Sequence, residues 1–150
     1  MAKKLPMKKN PLINPPSYPY DVPALGEVKL EHVEQAVDWG IKKTRVNIRK
    51  IVNNRYNPTF HNTIHALAFV AEPLGQATGP FGQYAAVNGT EETQAVQDKI
   101  KPKIVEIQTE ISMNKALFER VKHVYDNVDR SKLSTEEEIL LDKTYNGFVD

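Results

Sequence analysis

Asn57-Pro58-Thr59-Phe60-His61-Asn62-Thr63-Ile64-His65-Ala66-Leu67 joins a sharp helix start to a pair of closely spaced histidines. Pro58 disfavours helical backbone at Asn57, and the Thr59 hydroxyl is suited to cap the amides that follow. Phe60, Ile64 and Leu67 then recur at spacings of four and three, which is one face of a helix. A helix is expected from about Thr59.

The same turn holds His61-Asn62-Thr63-Ile64-His65, the i, i+4 histidine spacing of an H-E-x-x-H zinc helix. In that motif both imidazoles hold the metal, and the glutamate after the first activates the attacking water. Asn62 stands in the glutamate's place and takes no proton at neutral pH. A third ligand is also needed, and one H-x-x-x-H pair arises readily by chance. The pair is read as the polar edge of a helix, with adventitious metal binding at His61 and His65 as the weaker alternative, and no catalytic, cofactor-binding or metal residue is assigned to the chain.

Upstream, Leu30, Val33, Val37, Ile41, Ile48 and Ile51 recur at threes, fours and one seven, which predicts an amphipathic helix from Leu30 to Val52. Glu31, Glu34 and Asp38 lie toward its start and Lys42, Lys43, Arg45, Arg49 and Lys50 toward its end, matching the partial charges of the helix termini. A nucleic-acid stripe is the rival reading, since no acid falls between Asp38 and Glu72. Base-stacking platforms need more than the single nearby aromatic, Tyr56, so a solvated face is preferred. His32, beside Glu31 in the first turn, is expected to be exposed.

Before this helix, six prolines from Pro6 to Pro23 interrupt any helix or central strand. Residues 1–29 are therefore expected to form a proline-rich extended arm, with residues 30–150 as one helical domain. Leu12, Ile13, Tyr18, Tyr20 and Val22 suggest that the arm lies across the helices. The alternative, a ligand segment for an aromatic-lined groove, lacks a clean P-x-x-P spacing beside a basic anchor.

Downstream, Pro73, Gly75, Gly79, Pro80 and Gly82 predict a kink or break between Glu72 and Phe81, because an interior proline costs about 3 kcal/mol. Gly75-Gln76-Ala77-Thr78-Gly79 lacks the Gly-Lys-Ser/Thr ending of a phosphate loop. Thr90 is placed to cap a third helix, where Val96, Ile100, Ile104, Ile107 and Ile111 stay in phase across Pro102. Too few heptads support a coiled-coil surface there. Asn114 caps a fourth helix to about Asp129, burying Leu117, Val121, Val124 and Val128, with His123 at the edge of the packed face. Ser134 and Glu137 form a capping box for a fifth, in which Leu141, Tyr145, Phe148 and Val149 face inward. The fold class is all-α, an antiparallel bundle of about five helices.

The 150 residues suit one domain, and a formal charge of +1 gives no general pull toward nucleic acid or anionic lipid. The absence of cysteine excludes disulfides and thiol catalysis. No stretch approaches the twenty or so apolar residues of a membrane span, and the basic start Met1 to Lys9 is followed by prolines instead of a signal-peptide apolar run. A cytoplasmic protein without membrane or nucleic-acid partners is expected.

Several segments, in order, resemble one family. Asn10-Pro11-Leu12-Ile13, Tyr20-Asp21-Val22-Pro23 and Val28-Lys29-Leu30-Glu31-His32 are similar to the opening of the thimet-oligopeptidase-like zinc metallopeptidases, of the peptidyl-dipeptidase and oligopeptidase A type, although Leu30 replaces a proline of that pattern. Pro58-Thr59-Phe60 with Asn62-Thr63-Ile64 and Ala66-Leu67 resembles the start of a long helix in that family. Asn114-Lys115-Ala116-Leu117-Phe118-Glu119-Arg120-Val121 with Tyr125-Asp126, and Leu140-Leu141-Asp142-Lys143-Thr144-Tyr145 with Phe148-Val149, resemble later segments. Where His61 and His65 stand, the family varies and is often acidic, which argues against a metal site.

The resemblance implies an amino-terminal helical domain that forms part of the wall of a deep channel admitting short peptides. The family's H-E-x-x-H helix, its later glutamate ligand and its zinc lie downstream of anything matched here. This chain alone is therefore expected to cleave nothing and to hold no cofactor, with the rest of a metallopeptidase chain as partner and short peptides as the parent's substrates. The apolar end at Asp150 is expected of a truncation, and one apolar surface should remain partly uncovered. The alternative is a stand-alone helical interaction module that has lost the enzyme.

Overall fold

A computed structural model describes residues 10–14 and 29–150. Among the described residues the structure is helical and contains no strand. The elements are α1 (Leu30–Val52), a π-helix (Phe60–His65), α2 (Ala66–Ala68), α3 (Glu72–Val87), α4 (Glu91–Ser112), α5 (Lys115–Asn127), a 3-10 helix (Arg130–Lys132) and α6 (Thr135–Val149). The all-α expectation holds. The chain divides into two compact units, one of residues 1–44 and 71–105 and one of residues 45–70 and 106–150.

In the first unit, Val33, Ala36, Val37 and Ile41 of α1 are buried, as are Leu74, Ala77 and Phe81 of α3 and Ile100 of α4. Gly40 is where α1 meets α3: a Cβ there would lie 2.9 Å from the Leu74 Cα, so any side chain would displace backbone. Thr44, fully buried, returns its hydroxyl to the Gly40 carbonyl at 2.8 Å. Lys103 of α4 reaches Asp38 at 2.8 Å and Glu34 at 3.2 Å on α1, and these carboxylates hold its ammonium above the usual lysine range.

Of the expected arm the structure describes residues 10–14, which form a turn, and Lys29. The Asn10 carbonyl accepts from the amides of Ile13 (3.1 Å) and Asn14 (2.9 Å), and its side-chain oxygen accepts from the Leu12 amide. Leu12 and Ile13 are buried, as the docking expectation requires, and the Gln76 side chain of α3 donates to both their carbonyls. Tyr18, Tyr20 and Val22 lie outside the described residues, as does the rest of the arm.

The turn also overturns the expectation that His32 is exposed. Buried Asn10 donates to the His32 carbonyl at 2.8 Å, and the imidazole is left 6% exposed. His32 Nδ1 accepts from the Lys29 amide at 3.1 Å, doing for the start of α1 what a glutamate does in a capping box. Desolvation pushes the His32 pKa below the ordinary histidine range.

The break expected between Glu72 and Phe81 lies earlier. The chain turns at Phe69–Ala71, and α3 then runs unbroken through Gly75, Gly79, Pro80 and Gly82. Pro73 sits in the first turn of α3, where amides have no intrahelical partner to lose. Burial of Leu74, Ala77 and Phe81 along one face offsets the cost of Pro80. At α4, Thr90 Oγ1 accepts from the Thr93 amide as expected, and Pro102 does not interrupt the helix.

The second unit is built on Ile64, Val121, Val124 and Leu141, all buried, with Phe60, Leu67, Tyr125, Val128, Leu133, Leu140, Tyr145 and Phe148 packed around them. Asn114 caps α5 through the Leu117 amide, and Ser134 with Glu137 closes the expected capping box of α6. Helix α5 ends at Asn127, two residues short of expectation, and Val128 is extended and half-buried. His123 is exposed, and Val149, expected to face inward, is 56% exposed in the last turn of α6. Arg45 forks onto Glu110 through Nε (3.0 Å) and Nη2 (2.6 Å), which lowers the carboxyl's pKa.

Two stability measurements follow from these contacts. Gly40→Ala should destabilise by about 1–3 kcal/mol through overpacking against Leu74, whereas Gly79→Ala, where a Cβ meets nothing within 4 Å, should stabilise by up to about 1 kcal/mol through helix propensity. Urea denaturation of the two variants reads both signs. For His32, the unfolded chain takes up the proton more readily than the folded one, so its contribution is present above about pH 6.5 and declines as pH falls below that value. Denaturation midpoints measured from pH 7.5 to 5 should therefore fall less steeply in His32→Gln than in the parent.

Candidate functional site

The chain enters its candidate site through Asn57-Pro58, where proline forbids helix and delivers Thr59 in an extended conformation (φ −126°, ψ 165°). Thr59 Oγ1 accepts from the Asn62 amide at 3.1 Å, and Asn62 Oδ1 accepts from the Thr59 amide at 2.7 Å. This is a capping box with asparagine in the position usually held by Glu or Gln. The Asn62 amide group also donates to the Asn57 carbonyl at 2.9 Å, and Thr63 Oγ1 donates to Asn62 Oδ1 at 2.8 Å. The residue in the place of a catalytic glutamate is thus committed to its own helix start.

Arg120 of α5 closes this network from the far side. Its Nη1 donates to the Asn54 carbonyl at 3.2 Å, with longer contacts to the Tyr56 carbonyl, Asn62 Oδ1 and Thr63 Oγ1. Its Nε is buried without a hydrogen-bond partner, and desolvation lowers the guanidinium's pKa. A cation held only by neutral oxygens orders the Asn53–Asn57 loop. Sequence spacing does not point to Arg120, because its partners lie more than fifty positions away in the chain.

The helix that follows is a π-helix, not the α-helix the spacing suggests. Its wider turn buries the neighbours Thr63 and Ile64 together, both with no exposed surface, and leaves His61 and His65 outside. The two imidazoles are stacked, with ring centres 5.1 Å apart and planes 19° from parallel, and the Phe69 ring is tilted against His65 at 5.0 Å. Among the described residues, no group of three or more His, Cys, Asp or Glu side chains is placed to hold a metal ion. The residues present therefore do not fit the catalytic zinc of an H-E-x-x-H enzyme.

A second feature is the aromatic row of α5 and α6. Tyr125 and Tyr145 stack at 3.9 Å, and Phe118 lies 6.0 Å from Tyr145 and 5.8 Å from Phe148. Arg130 covers the Tyr125 ring at 4.9 Å while donating to Asp142 at 3.0 Å. All four rings are half-buried, and Ile139 and Val149 of α6 are 61% and 56% exposed. Of the basic residues read as a possible nucleic-acid stripe, Arg45 is engaged by Glu110, and Lys42, Lys43, Arg49, Lys50 and Arg55 are exposed. Among the described residues no helix is long and apolar enough to cross a membrane.

No family model matches the chain. Curated proteins do. The dipeptidyl carboxypeptidase of Salmonella typhimurium (strain LT2) is 31% identical over 143 residues, 95% of this chain and 21% of that protein. Its Escherichia coli (strain K12) counterpart is 29% identical over 93% of this chain and 21% of its own length. Oligopeptidase A of Escherichia coli is 23% identical over 91% of this chain and 20% of its own. The chain spans about a fifth of the length of these relatives. Along nearly all of its residues, then, it bears the resemblance to the thimet-oligopeptidase-like peptidases that its motifs indicate, and what it resembles is a fifth-length portion of such a protein.

Proposed function

We propose that this chain is the amino-terminal, channel-wall portion of a zinc metallopeptidase that cleaves short peptides in a peptidyl-dipeptidase-like way, acting in the cytoplasm. The observation that carries the reading is the extent of the match: over nine-tenths of this chain aligns with only a fifth of each peptidase. The catalytic zinc, its ligands and its general base belong, on this reading, to residues outside these 150. The contribution of the helices is shape and support.

The physical features of the second unit favour a surface that packs against more protein. The aromatic row is only half-covered, and Ile139 and Val149 of α6 are exposed. A contiguous half-covered aromatic row favours a surface that a partner covers. The partner on this reading is the remainder of the peptidase chain. Arg120 and the Asn62 cap keep the helix ends in register without taking part in chemistry.

The reading is tested at the gene and at the bench. The native coding sequence should continue in frame past Asp150 into an H-E-x-x-H segment, and its product should cleave short peptides in a chelator-sensitive way. The 150-residue chain alone, supplied with zinc, should show no cleavage above background. A natural stop codon after Asp150 would favour the stand-alone interaction module instead, and chelator-sensitive cleavage by the chain alone would overturn the architectural role.

A further inference from the structure

His61 and His65 take no part in the capping network, the core or the aromatic row. Both are exposed, and neither belongs to the core cluster. The sequence spacing alone argues little, because such pairs occur by chance. The structure adds the placement of the rings. The π-helix is pinned at its start by the Thr59–Asn62 box and anchored inward by Thr63 and Ile64, so its outer face is presented on a fixed backbone. On that face the two rings lie one above the other, 5.1 Å apart.

We propose that His61 and His65 form a two-imidazole site for a divalent transition-metal ion on the outer face of the π-helix. An ion bound about 2.0–2.1 Å from one nitrogen of each ring, at tetrahedral or square coordination angles, places the ring centres roughly 4.5–5.2 Å apart. The observed separation falls in that interval. The near-parallel planes need only rotate about their side-chain bonds to aim one nitrogen each at a common point. That torsion is soft, and both residues are exposed. Phe69 backs His65 and limits the directions in which it can turn.

The chemistry of the donors selects the ion. Two neutral imidazoles suit zinc, copper and nickel far better than magnesium or calcium, which prefer oxygen. The segment from Trp39 to Ala71 contains no Asp or Glu, so it supplies no carboxylate and the remaining positions fall to water. With Asn62 held in the cap, no base stands beside the ion to activate that water. The site is therefore a binding site without hydrolytic function. Chelation ties the first turn of the π-helix to its last and so stabilises the segment that delivers Ile64 to the core.

Calorimetric titration of zinc, nickel and copper(II) into the full 150-residue chain at neutral pH tests the proposal. One ion per chain is expected, with copper(II) giving an electron paramagnetic resonance spectrum that shows coupling to two imidazole nitrogens. Because two linked ligands exceed one by their effective concentration, His61→Ala and His65→Ala should each weaken binding about tenfold or more. His123→Ala, which removes a separate exposed imidazole, should leave affinity unchanged. A zinc-induced rise in melting temperature should vanish in the double variant, whose helicity is checked by circular dichroism. Binding of equal strength in the double variant, or none at millimolar metal, would overturn the site.

Discussion

Ile64 has to reach the core while His61 and His65, three residues before it and one after, stay in water. The chain meets that demand with a short wide helix capped by its own side chains. Ile64 contacts the Val121, Val124 and Leu141 cluster, and removing a fully buried branched side chain of this kind costs a few kcal/mol. The Thr59–Asn62 box sets where the helix begins, and so sets which residues point inward. Shifting that register by one position would put Thr63 or His65 in the place of Ile64. Arg120 reinforces the same choice from α5 by holding the loop that precedes the cap.

The two compact units use one kind of device at their helix starts. Lys29 receives its cap from His32, Thr59 from Asn62, and Ser134 from Glu137. Each is a side chain three residues on that reaches back to a backbone amide, and the three differ in what they tolerate. Glutamate and asparagine keep the bond over a wide pH range. Histidine keeps it only while neutral, and burial under Asn10 favours that state at neutral pH. Charged surface pairs such as Arg45–Glu110 and Lys103–Asp38 add little by comparison, since exposed pairs contribute at most about 1 kcal/mol.

The chain resembles dipeptidyl carboxypeptidase and oligopeptidase A over about a fifth of their length. Asn62, which stands where an H-E-x-x-H helix carries its base and cannot itself take a proton, is spent on the cap, and the aromatic row of α5 and α6 is half-covered. The histidine pair lies outside that scheme, which is why it is the feature worth assaying by itself.

Apolar periodicity determined the all-α class, the bounds of α1 and the passage of α4 across Pro102, and the residue types at Asn114, Ser134 and Glu137 determined the caps of α5 and α6. These depend on neighbours within one or two turns, and the apolar stripes of those helices are unambiguous. Tertiary structure decided the rest. Helix α3 survives its glycines and Pro80 because Leu74, Ala77 and Phe81 are buried, and no local propensity contains that information. His32 is buried because residues 10–14 fold over it from twenty positions away. The turn at Phe69–Ala71, the π-helix and the place of Arg120 likewise arise from contacts between segments distant in sequence, where packing and hydrogen-bond satisfaction override local preference.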